Sequence, residues 1–112
     1  MELSANYPIQ MFSVTSTLGE ITPLRFRYEN TEHEVITVNV DEIHAKKEMT
    51  IGKGGSVIFT CASSMDEFKM LYQVRYEIGT HKWIFMGSVS CFFIYTIITS
   101  ILEYLLFFCL YH

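Results

Sequence analysis

From residue 24 onward, apolar and polar residues alternate with a period of two. Leu24, Phe26 and Tyr28 fall on one side, with Arg25, Arg27 and Glu29 on the other. Successive side chains of a strand point to opposite faces, so this pattern predicts a half-buried strand. Residues 30–33 form a polar turn. Ile36, Val38 and Val40 then alternate with Thr37, Asn39 and Asp41, predicting the return strand of a hairpin. Residues 42–50 are charged and fit either a strand continuing through Ile43 or a short helix over 41–49. The Gly52-Lys53-Gly54-Gly55 run ends that segment. Residues 56–62 are dense in β-formers (Val57, Ile58, Phe59, Thr60) and apolar on both faces, the pattern of a strand flanked on both sides. After a turn at 63–66 comes the clearest strand, in which Phe68, Met70, Tyr72, Val74, Tyr76 and Ile78 alternate with Lys69, Gln73, Arg75 and Glu77. Gly79-Thr80 turns the chain into a last strand at 81–86, with Trp83 and Phe85 on one face.

The ends of the chain depart from this pattern. Residues 1–23 carry Pro8, Gly19 and Pro23 as breakers and show weak periodicity, so they read as a loosely ordered leader with one short strand near residues 10–15. At the other end, residues 83–102 contain no charge, and apolar character resumes after Glu103. A helix needs about 20 apolar residues to cross a hydrocarbon core. The expectation is therefore a mainly β protein, α+β overall: a small antiparallel meander or partly closed barrel at 24–86, then one apolar helix at 87–112. Trp83, Gly87, Ser88, Phe92, Thr96, Thr99 and Glu103 mark the candidate membrane span. Ser88, Phe92, Thr96, Thr99 and Glu103 share one side of such a helix, with Glu103 near the far interface. Lys69, Arg75 and Lys82 precede the span, so the positive-inside rule places the body in the cytoplasm and the C-terminus outside. The competing readings are an aggregation-prone β extension and the product of an altered reading frame.

A net charge of −4 over 112 residues, with no basic stripe and no acidic block, argues against a nucleic-acid surface or a disordered tail. Cys61, Cys91 and Cys109 are too few and too far apart for a disulfide framework or a zinc spacing, so they read as reduced thiols. No signal peptide is expected before Leu18, and Met11 is an alternative start.

One internal echo stands out. Residues 27–36 align without a gap on residues 75–84, sharing Arg, Tyr, Glu, His and Ile. Strand, turn and strand are thus written twice, either by convergence on hairpin-favouring residues or by duplication. The echo puts His33 and His81 at equivalent positions, and a weak metal or acid–base pair would follow only if the hairpins packed together. The glycine loop at 52–55 lacks the Walker spacing and precedes a strand, so it reads as a hairpin turn. Ser63 and Ser64 lack a nucleophile elbow, and Cys61 lies in an apolar strand where burial would raise its pKa. Neither catalytic residues, nor cofactor, nor metal is expected. Tyr28, Tyr72 and Tyr76 read as core rather than as a stacking surface for single-stranded nucleic acid.

Residues 24–30, 36–41, 71–77 and 82–83 resemble segments of small, uncharacterised bacterial proteins of Gram-positive type. The resemblance covers 24–86, implies no activity, and leaves the apolar tail as a departure. Two functional expectations follow. One is a non-enzymatic, membrane-tethered module that binds the bilayer through its tail and an unknown protein through its β domain. The other is a soluble, cytoplasmic β-barrel binding nucleic acid or a small ligand, with an incidental tail.

Overall fold

The computed structural model describes residues 6–51 and 54–93. Seven strands form one sheet: β1 (Tyr7–Thr15), β2 (Ile21–Glu29), β3 (Val35–Asn39), β4 (Glu42–Ile51), β5 (Gly54–Met65), β6 (Phe68–Glu77) and β7 (Lys82–Phe93). Their order is β3-β2-β1-β7-β6-β5-β4, and every pairing is antiparallel. Two meanders, β1–β3 and β4–β7, are therefore joined by the first and last strands lying side by side. The sheet's two edges, β3 and β4, are consecutive in sequence and linked only by Val40 and Asp41. So short a link requires the sheet to curl until its edges meet at that corner. The result is a half-barrel with one seam, consistent with the partly closed meander that alternation predicts.

Alternation fills the concave face. Phe26, Phe59, Cys61, Tyr72, Val74 and Phe85 are all at most 2% exposed. Their rings interlock: Phe26 meets Tyr72 edge-on at 5.7 Å, Tyr72 stacks on Phe85 at 5.7 Å, and Phe59 stacks on Trp83 at 5.7 Å. Aromatic pairs of this kind add to the stabilisation given by area burial alone. Leu24, expected inside with Phe26 and Tyr28, is 49% exposed. Met11 to Ser13 of β1 face Phe26, Arg25 and Pro23 in turn, so Leu24 is skipped as a β-bulge and the alternation of β2 flips there.

Two expectations are corrected and one open alternative is decided. The leader is structural: β1 pairs with β7 through residues 7–9 and with β2 through residues 10–15. Pro8 and Pro23 are tolerated because each lies where only one neighbouring strand pairs, so at most one ladder needs the missing N–H. The charged segment 42–50 is a strand, not a helix. Residues 87–93, expected in the apolar helix, are strand, because β7 runs to Phe93 and pairs with β6 as far as Phe68. Residues after Phe93 lie outside the described residues. Two bulges, at Met86 and Val89, bend β7 along its length, with Gly87 between them at φ 135°.

The corner of the seam is held by polar groups. Asp41 N donates to Ala62 O at 3.0 Å, and Ser64 N donates to an Asp41 carboxylate oxygen at 2.7 Å. Ser63, 1% exposed, donates its hydroxyl to Asn39 O at 2.5 Å and shares a 2.6 Å hydrogen bond with the Tyr72 hydroxyl. Burial pushes the Tyr72 phenol well above its ordinary range. Both hydroxyls therefore stay neutral and latch β3 to β5.

Candidate functional site

Away from that corner the seam opens. β3 stops at Asn39, opposite Arg25, so residues 21–23 of β2 project past it with no strand on that side among the described residues. β4 meanwhile pairs only with β5, and among the described residues nothing hydrogen-bonds to its outer backbone edge over residues 43–48. Between these two edges lies a groove of about 410 Å³. Thr15, Leu18, Gly19, Glu20 and Ile21 form one wall, Lys46 and Glu48 the other, and Val57, Tyr76 and Ile78 the floor and end.

Local sequence explains each wall. The β1–β2 loop is closed by Ser16, whose N–H donates to Glu20 O at 2.8 Å and whose carbonyl accepts from Gly19 N at 2.9 Å. Ser16 Oγ also accepts from the N–H groups of Leu18 and Glu20 at 3.2 and 3.1 Å. Gly19 takes φ +83°, the left-handed position that ends a three-residue hairpin loop. This rigid loop holds Leu18, 86% exposed, at the lip of the groove. On the far wall, a register shift at His44 re-aims β4 so that Lys46 lies opposite Phe59 and Glu48 opposite Val57. Directly paired residues share a face, so two charged side chains line the inner side of an otherwise apolar curve. The Lys46 ammonium sits 6.0 Å from the centre of the Phe59 ring. Inward-pointing charge on an edge strand also blocks indiscriminate sheet-to-sheet pairing.

The residues singled out from sequence distribute otherwise. Trp83, 7% exposed, is a core residue of β7 against Phe59 and Tyr76. Gly87 and Ser88 are strand residues, and Ser88 Oγ donates to Met70 Sδ at 3.2 Å. Phe92 lies in β7 opposite Lys69. Thr96, Thr99 and Glu103 lie outside the described residues. His33 and His81 are not brought together: β1 separates their hairpins, His33 Nδ1 pairs with Glu29 at 2.7 Å, and His81 Nδ1 with the Tyr76 hydroxyl at 2.9 Å. No group of three metal-ligating side chains converges among the described residues. Cys61 is buried, and desolvation pushes its thiol up to about 12, which removes the thiolate that nucleophilic chemistry requires.

The sequence offered one unused signal for the groove, namely Lys46 and Glu48 two apart in a segment flanked by strand formers. Comparison of the chain with protein-family models, curated proteins and solved structures finds no match. The groove's chemistry is thus the ground on which function is argued.

Proposed function

We propose that the β domain is a non-enzymatic binding module that takes an extended segment of a partner protein along the free edge of β4. The observation that supports this is the pair of unpartnered strand edges, β2 at residues 21–23 and β4, facing each other across the groove. An edge strand offers a row of backbone donors and acceptors, and strand addition uses them for affinity while side-chain contacts give specificity. Leu18, Ile21 and Ile78 would meet apolar side chains of the incoming strand, and Lys46, Glu48 and Glu20 would select its charges. A photo-crosslinker placed at Lys47 in the full-length chain tests this in cells. The captured protein should slow amide exchange over residues 43–48 when added back. If it leaves those amides unchanged, strand addition is wrong.

A second reading rests on the groove's size. At about 410 Å³ it falls in the range of small-molecule sites, about 300 to 1,000 Å³. Protection confined to the 16–21 side, with β4 unaffected, would favour a small amphipathic ligand.

The membrane tether is proposed in altered form. With β7 ending at Phe93, the remaining apolar stretch is residues 94–112, and Glu103 stands at its midpoint rather than near one end. An ionised carboxylate at a bilayer centre costs about 3 kcal/mol. A spanning tail would therefore need Glu103 paired or protonated. Carbonate-resistant, detergent-released membrane association of the full chain, increased by Glu103→Leu, is the expected result. Recovery of the full chain in the soluble fraction would end the tether reading.

A further inference from the structure

The convex face of β1–β3 carries a second surface, remote from the groove. Gln10 and Phe12 of β1 pair with Arg27 and Arg25 of β2, which pair in turn with Thr37 and Asn39 of β3. These residues share one face. The Arg25 guanidinium lies 4.6 Å from the centre of the Phe12 ring and that of Arg27 5.5 Å from it. Gln10 Oε1 accepts from Arg27 Nε at 3.0 Å and from an Arg27 terminal nitrogen at 2.7 Å. Both arginines are exposed, and neither has a carboxylate at ion-pair distance among the described residues. Lys69 and Arg75, by contrast, face Glu42 and Glu77. The sequence thus fixes two guanidinium groups with an aromatic ring and a neutral amide, which orients them and leaves their charge available.

We infer that Arg25 and Arg27 form a recognition surface for an acidic, extended peptide. Side chains two apart on a strand are about 6.7 Å apart, the same repeat as alternate side chains of an extended chain. A peptide with carboxylates at alternate positions matches both arginines at once, and guanidinium–carboxylate geometry favours two-point contacts. The Thr37 hydroxyl and the Asn39 amide supply neutral hydrogen-bonding groups beside them. Two other polyanions fit less well. The face of Phe12 is covered by Arg25, so no ring is free for base stacking, and the net charge of −4 opposes a long nucleic acid. An anionic bilayer reached through the tail would meet the Phe93 end of β7. The arginines lie beside the other end, near Lys82, about 30 Å away along the strand.

The test is fluorescence anisotropy of the full-length chain with a labelled peptide of alternating Glu and Thr. Its Lys-for-Glu counterpart, a labelled oligouridylate and vesicles of anionic lipid serve as competing probes. The Glu peptide should bind, and the affinity should fall as salt rises toward about 0.15 M. Arg25→Gln with Arg27→Gln should weaken it by about tenfold or more, whereas Lys69→Gln with Arg75→Gln, which removes two cations already facing carboxylates and outside the groove, should change it less than about twofold. Gln10→Leu, which frees Arg27 without removing charge, should weaken binding about threefold and so separates orientation from net charge. Equal binding by the double arginine variant with an unchanged circular dichroism spectrum overturns the inference. So does no binding of the Glu peptide, or tighter binding of the oligouridylate or the vesicles. None of these outcomes bears on the groove, whose residues the variants leave intact.

Discussion

Two hairpin loops in this molecule are built alike although the residues that build them differ. In the β1–β2 loop, Ser16 caps and Gly19 takes the left-handed position. In the β2–β3 loop, Asn30 Oδ1 accepts from Glu32 N and Glu34 N at 2.9 and 2.8 Å, and His33 takes φ 63°. Both loops close with the same pair of backbone hydrogen bonds, Ser16 to Glu20 and Asn30 to Glu34. The echo in sequence instead paired residues 27–36 with 75–84. Those are indeed two hairpins, each with a left-handed histidine, but the second has the shorter loop, closed from His81 N to Glu77 O at 2.8 Å. The likeness is therefore one of hairpin-forming residues and not of loop geometry. A Cβ at residue 19 meets no neighbour but is forced into left-handed backbone, so Gly19→Ala should lower stability by about 1 kcal/mol in urea unfolding. Cys61, with its thiol pushed up to about 12, should be inert to a thiol reagent at mildly alkaline pH until the protein unfolds. Its folded-state pKa is raised, so its contribution to stability is complete below the ordinary thiol pKa of 9.0 and is lost as pH rises toward about 12.

At the scale of elements, the seam latch predicts the behaviour of the β3–β4 corner. Ser63→Ala should leave the buried Tyr72 hydroxyl without its partner and cost about 1 to 3 kcal/mol, read by chemical denaturation, with faster amide exchange in β3. Beside it, Lys69 bonds Glu42 at 2.6 Å, and that bond holds the carboxyl below its usual value of 4.5. A depressed carboxylate stabilises above its unfolded pKa, and that contribution disappears as pH falls through the folded value. Lys69→Met should move the Glu42 titration up, as followed by NMR. The strands between 24 and 86 were legible because each buries one face, which imposes alternation. β4 was not, because residues 41–48 are all exposed and no core constrains their pattern. β1 was legible only as a short strand near residues 10–15, because Pro8 and its division between two neighbours mask the rest. The extension of β7 was mistaken for helix because a uniformly apolar run has no period, and its length then favoured a span. The groove was illegible for a different reason: it exists only because consecutive strands β3 and β4 sit at opposite ends of the sheet order.

For the whole molecule, β7 sets where the domain can be cut. A chain ending after Met86 removes the residues that pair with 68–73 of β6 and strips one side of that strand. It should be markedly less stable than a chain ending after Phe93, by thermal melting of both. The same adjacency of first and last strands governs the order of assembly. Ile9 pairs with Trp83 and Tyr7 with Phe85, contacts that span nearly the whole described chain, whereas every other ladder joins consecutive strands. Long-range closure is slow, because much chain must be ordered before it is rewarded. During synthesis the β1–β3 unit leaves the ribosome first but has to wait for the final strand to emerge. Tyr7 to Ile9 therefore stay without their partner until β7 has emerged, and the start of β1 is the last part to become protected.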